Sequence, residues 1–200
     1  MVVKAGALEV FPTLLTHQKA NIVKEAAWTI SNVAAGNQDQ IQAIIDASIL
    51  PPLFNVLEKG EPRAQKEAAW AVANYTSGGS ANQIILLVQM GVIPYCVRLM
   101  DFSDPKMLMV VLDGLFNILK CAEKLGEVDR VGQMIEEAGG VDKLEQLQNH
   151  DNSDVYRKSL EMVERFFNPD EECLDQVPSS SQDGFSFSEN TAMPDGGFNF

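Results

Sequence analysis

The chain has 200 residues, 46% of them hydrophobic, and a formal net charge of −13, so it holds enough apolar material to bury a core. The acids are uneven: residues 168–200 carry seven of the 28 and none of the 15 Lys and Arg. This balance repels phosphate backbones and attracts cations, which argues against nucleic acid and in favour of a basic peptide as partner.

In chain order, the first element is a turn and short helix, Ala5-Gly6-Ala7-Leu8 to Leu14-Leu15, followed by a longer predicted helix over 20–35. The same succession returns at Ala47-Ser48-Ile49-Leu50 to Val56-Leu57, with a helix predicted over 62–77. It returns again at Met90-Gly91-Val92-Ile93 to Leu99-Met100 with a helix over 104–121, and at Ala138-Gly139-Gly140-Val141 to Leu147 with a helix over 151–167. Successive offsets are 42, 43 and 48 residues. Within the long helices, Lys24-Glu25-Ala26-Ala27-Trp28-Thr29-Ile30-Ser31-Asn32 recurs as Lys66-Glu67-Ala68-Ala69-Trp70-Ala71-Val72-Ala73-Asn74.

Each unit reads as a short helix, a turn, a second short helix and a longer third one. Pro12, Pro51, Pro52 and Pro94 fall early in the second helix, where a missing amide hydrogen is tolerated. Gly36, Gly78 and Gly79 are expected to stop third helices. Three helices in about 42 residues is the armadillo layout. The expected fold is all-α, a right-handed armadillo-repeat solenoid of about four repeats over 1–36, 37–79, 80–124 and 125–167. The first unit is incomplete, because only Met1–Lys4 stands where its first helix belongs, and the chain reads as the C-terminal part of a longer repeat protein. Residues 168–200, ending in Gly184-Phe185-Ser186-Phe187 and Gly196-Gly197-Phe198-Asn199-Phe200, bury too little to fold and are expected to form a disordered acidic tail.

A helix turns about 100° per residue, so Val23, Ala27, Ile30 and Ala34 fall within roughly 60° of arc and mark the buried stripe. Trp28 points roughly 140° away from it, and Trp70 roughly 150° away from Ala68, Ala69, Val72 and Tyr75. Glu25 and Asn32 share the Trp28 face, as Glu67 and Asn74 share that of Trp70. Such a face suits an extended basic peptide. Asn amides can both donate to and accept from its backbone, indoles can sandwich Lys or Arg stems, and the carboxylates can pair with the cationic heads. The pattern fades at Asp113 and Asn117 and ends at Glu161 and Arg165, so the last unit reads as a cap serving another partner.

The tandem Lys-Glu-Ala-Ala-Trp-x-x-x-Asn runs continue into Leu112-Asp113-Gly114-Leu115-Phe116-Asn117-Ile118-Leu119-Lys120, Ile135-Glu136-Glu137-Ala138-Gly139-Gly140 and Leu144-Glu145-Gln146-Leu147-Gln148-Asn149-His150. Together they resemble the C-terminal part of importin α. The resemblance implies a nuclear import adaptor, present in cytoplasm and nucleus, that binds nuclear localisation signals in a groove and hands cargo to importin β. It implies that Glu25, Trp28, Ser31, Asn32, Glu67, Trp70 and Asn74, with Asn117 continuing the Asn row, form most of a minor signal-binding site. It further implies that the last repeat and tail meet an export receptor and a nuclear-pore protein. The basic segment that binds importin β in the family, and the early repeats with the major site, are not among these residues.

An enzyme is not expected, since His17 and His150 are isolated from any nucleophile motif and Gly78-Gly79 lacks the rest of a phosphate loop. No cofactor or metal is expected. Cys96, Cys121 and Cys173 fit neither a disulfide framework nor zinc spacing and point to a reducing, intracellular compartment. No apolar run approaches a membrane span, and no membrane insertion is expected. The alternative is another armadillo scaffold, a catenin-like adaptor; such grooves resemble this one but favour acidic partners through Lys and Arg rows.

Overall fold

The computed structural model describes residues Gly6–Asn168, and among these the regular structure is all helical. A 3-10 turn, Ala7–Val10, leads into α1 (Phe11–Leu15) and α2 (Ala20–Ala34). Next come α3 (Gln38–Asp46), α4 (Leu50–Lys59) and α5 (Pro62–Gly78), then α6 (Ala81–Gln89), α7 (Ile93–Leu99) and α8 (Pro105–Leu125). The last group is α9 (Val128–Glu137), α10 (Gly140–Leu147) and α11 (Ser153–Phe166). The stretches Met1–Lys4 and 169–200, with the expectations of a reduced first helix and a disordered tail, lie outside the described residues, as does Cys173.

One backbone device recurs in every unit. Gly6, Ser48, Gly91 and Gly139 have φ of 70°, 54°, 84° and 76°, and they follow the 42, 43 and 48 residue offsets of the sequence. Ser48, Gly91 and Gly139 each turn the chain from the first helix of a unit into the second, so that α3 and α4 are bent by 84° and α6 and α7 by 80°, and Gly6 precedes the second helix of the first unit. Left-handed backbone costs a residue with a Cβ about 1–2 kcal/mol, which glycine avoids. Ser48 is the exception. Three of the four second helices, α1, α4 and α7, open on proline as expected, with Pro12, Pro51, Pro52 and Pro94 in their first turns.

One expectation about helix ends is corrected. Past Cys121, α8 runs on to Leu125, because Ala122-Glu123-Lys124-Leu125 are good helix formers and the first left-handed stop is Gly126 at φ 71°. Gly79 caps α5 as expected and Gly36 directly follows the cap of α2, though neither has a positive φ. α5 includes Gly78 and leaves through Gly79 in an extended conformation, φ −71° and ψ 151°, while α2 is capped by Ala35 ahead of Gly36.

The third helices α2, α5, α8 and α11 pack in succession, each also resting on the second helix of its own unit. Val23, Ala27, Ile30 and Ala34 are buried, as are Ala68, Ala69, Val72 and Tyr75. Burial extends beyond those stripes to Ala26, Ser31, Ala71, Ala73 and Thr76, because each third helix is also flanked by its neighbours. At the α5–α8 contact a Cβ built on Gly114 of α8 would lie 3.8 Å from Ala73 Cα of α5, in ordinary van der Waals contact. Between units, Tyr75 donates its hydroxyl to Gln83 O at 2.9 Å, and burial pushes its pKa up to about 12. Arg165 of α11 donates from Nε and Nη2 to the two carboxylate oxygens of Glu123 at the end of α8, at 3.2 and 2.7 Å. That bond holds the Glu123 carboxyl below its usual range.

No single helix among the described residues is long and apolar enough to cross a membrane. Cys96 and Cys121 are free thiols. Burial raises both, Cys96 to about 12.

Ser48→Gly relieves the one left-handed residue with a side chain among the described residues and should raise the unfolding free energy by about 0.5–1 kcal/mol after the greater freedom of unfolded glycine is set against it; urea denaturation measures this. Because the native pKa of Glu123 is lowered, its contribution is full above about pH 5 and disappears as pH falls through the native value. Melting curves of Glu123→Gln should therefore lie below the parent at neutral pH and converge with it on acidification. The gap should be small, since both partners are about two-fifths exposed.

Candidate peptide-binding face

The sides of α2 and α5 turned away from their buried stripes carry Glu25, Trp28, Asn32 and Glu67, Trp70, Asn74, spaced about one helical turn apart. The two helices are neighbours in the stack, so the triplets stand side by side. Trp28 is 51% exposed and Trp70 42%, as the helical angles require of residues so far from the buried stripe. Glu25 is exposed and pairs with its neighbour Lys24 at 2.7 Å. Glu67 is half-buried and has no ion-pair partner among the described residues.

The Asn column is tied to the scaffold by one N–H each. Asn32 Nδ2 donates to Trp28 O at 2.9 Å within its own helix. Asn74 Nδ2 donates across to Ser31 O of α2 at 3.0 Å, and Asn117 Nδ2 to Thr76 Oγ1 of α5 at 3.4 Å. An amide has a second N–H and a carbonyl oxygen, and on all three residues these take no further partner among the described residues. Ser31 differs from the other expected contact residues. It is 6% exposed and its hydroxyl donates to Trp28 O at 2.7 Å, so it supports the face from beneath.

The third unit keeps Asn117 but places exposed Asp113 at the Trp position and buried Val110 at the Glu position. Part of its surface is engaged by the fourth unit. Lys158 of α11 stands 3.3 Å over the centroid of the Phe116 ring, 3.6 Å from Asp113 Oδ1 and 3.4 Å from Glu161 Oε2. Phe116 also meets Phe166 edge-on at 5.7 Å. Arg165, in the Asn column, is engaged with Glu123. Sequence reasoning missed Phe116 and Lys158. The signal was present, because the repeat offsets put Lys158 in the column of Glu25, Glu67 and Val110.

The histidines have matching local roles. His17 Nδ1 accepts from Lys19 N and His150 Nδ1 from Asn152 N, both at 2.9 Å, in the turns before α2 and α11. No group of three or more His, Cys, Asp or Glu among the described residues is arranged to hold a metal ion.

Residues 1–35 and 37–77 match the armadillo/β-catenin-like repeat family and residues 129–179 the atypical Arm repeat. Importin subunit alpha-4 of Arabidopsis thaliana is 43% identical over 196 residues, covering 94% of this chain and 36% of the relative. Importin subunit alpha-1b of Oryza sativa subsp. japonica is 44% identical over 208 residues, covering all of this chain and 39% of the relative. The chain thus spans little more than a third of the length of these relatives. Among solved structures, a computationally designed armadillo repeat protein for modular peptide recognition superposes with a TM-score of 0.74 at 31% identity, covering 82% of this chain and 66% of that one. A designed armadillo repeat protein in complex with the peptide (KR)4 superposes with a TM-score of 0.58 at 28% identity, covering 82% and 84%. With its helical repeats, its proline and left-handed-turn register and these relatives, the chain belongs to the importin α family of armadillo-repeat proteins.

Proposed function

We propose that this chain binds short Lys/Arg-rich peptides along the α2–α5 face, as the signal-reading part of a nuclear import adaptor whose cargo carries such peptides. The observation that carries the reading is the pair of exposed indoles, Trp28 and Trp70, on adjacent helices with Asn and Glu in the same register. Large exposed aromatics in a regular row are uncommon on a surface that binds nothing. The aliphatic stem of a guest Lys or Arg would pack against these indoles, with cation–π attraction of about 0.5–2 kcal/mol per contact. The unused amide groups of Asn32 and Asn74 then fix the peptide backbone whatever its side chains are. Glu25 and Glu67 supply the opposite charge. The same chemistry disfavours the catenin-like alternative, whose grooves would present cations here.

On this reading the chain works by binding alone, without catalysis or a cofactor. A protein containing it moves between cytoplasm and nucleus, and importin β, the export receptor and a nuclear-pore protein are its further partners. The last two engage α9–α11 and the residues beyond.

Titration of a fluorescent Lys/Arg-rich signal peptide tests the site. Trp28→Ala combined with Trp70→Ala should weaken binding by about tenfold or more, from the loss of two cation–π contacts. The melting temperature should fall only modestly, because about half of each indole is already exposed. Asn32→Ala and Asn74→Ala should each weaken binding too. Only Asn74→Ala should also lower stability, by about 1 kcal/mol, as it alone of the two bridges helices. Unchanged affinity in the double Trp variant would sink the assignment. Binding should also weaken with added salt.

A further inference from the structure

Lysine side chains are seldom buried, yet that of Lys158 is only 14% exposed. Its ammonium sits 3.3 Å over the Phe116 ring centroid, between Asp113 at 3.6 Å and Glu161 at 3.4 Å. An aromatic face flanked by two carboxylates is the chemistry by which α2 and α5 would hold a guest cation. In the register of the repeats Lys158 replaces Glu25 and Glu67. The column that offers a carboxylate to a ligand at the first two units therefore supplies a cation at the fourth, and that cation reaches back over the third. Lys158 is the only ion-pair partner of Asp113 and Glu161 among the described residues. Of the other two cations near the ring, Arg165 is engaged with Glu123 and Lys120 stands off at 5.5 Å. An open cavity of about 400 Å³ lined by Met109, Asp154, Arg157, Lys158 and Glu161 adjoins the spot, so the position is reachable from solvent.

We propose that Asp113, Phe116 and Glu161 form a third cation-binding position of the groove, closed by the chain's own Lys158, which thereby sets where a basic peptide must stop. The proposal rests on the peptide-binding reading of α2 and α5 and extends it by one unit. In the parent protein a guest Lys or Arg arriving at the third unit meets a position already filled, and an intramolecular cation competes at high effective concentration. Without Lys158 the two carboxylates and the ring are free to take a side chain from the ligand.

Three fluorescent peptides test this: a short Lys/Arg cluster, and two forms lengthened by residues ending in Lys, one at each end. The parent should bind all three alike. Lys158→Ala should leave the short peptide unchanged and bind one lengthened form about three- to tenfold more tightly, the range expected of one partly exposed cation–π contact. Adding Asp113→Asn and Glu161→Gln to Lys158→Ala should abolish that gain. The idea is overturned if a folded Lys158→Ala shows no gain, if the gain survives neutralisation of the two carboxylates, or if lengthening already helps the parent. Lys158→Gln, which keeps the stem over Phe116, serves if the alanine variant does not fold; it should show the same gain, reduced. Failure of the short peptide to bind the parent would sink the groove reading and this extension together, whereas normal short-peptide binding without a gain sinks the extension alone.

Discussion

The close stacking of one third helix on the next is the constraint on which the rest of the molecule depends. Ala26, Ala71, Ala73 and Gly114 leave little side chain between α2, α5 and α8, so the helix backbones approach closely and burial spreads around each helix. Because every unit enters its second helix through the same left-handed turn, the third helices arrive in the same rotational setting. A residue repeated in sequence is thereby repeated in space. Trp28 beside Trp70, and Asn74 bonded back to Ser31, follow from that register.

The same geometry gives the two ends of the ladder different chemistry. On α2 and α5 the outward columns are acidic, aromatic and amide in turn, with hydrogen-bonding capacity left over. On α8 and α11 the corresponding columns satisfy each other, Lys158 over Phe116 and Arg165 on Glu123. Satisfying charges internally removes the desolvation that a partner would otherwise have to offset. The first two units are thus open to a ligand while the last two are tied together.

Much of this was legible in the sequence. The repeat offsets gave the units, the prolines gave the second helices, and rotation about a single helix axis separated Trp28 and Trp70 from the alanines. What stayed hidden has a common cause. A single-helix projection knows one neighbour, so it marked Ala27 and Ile30 as buried and missed Ala26, Ala71 and Ser31, which a second and third neighbour cover. Phe116 and Lys158 are separated by 42 residues in sequence, and only the repeat register, applied to every column and not just to Trp and Asn, would have joined them. The end of α8 was misread because a cysteine in the middle of good helix formers stops nothing, whereas Gly126 does.

The packing of α8 on α5 at Gly114 and Ala73 would also limit how far the proposed extended guest stays in step. Packed helices lie about 8–10 Å apart, while side chains on one side of an extended peptide recur every ~6.7 Å. The two spacings act as a vernier. Even with the helices at the tight end of their range, the mismatch is about 1–2 Å per helix, and it accumulates until a guest side chain falls opposite a helix instead of between two. Small residues between the helices slow that drift without removing it. A ladder of this pitch suits short charged clusters joined by flexible linkers better than one long uninterrupted basic strand.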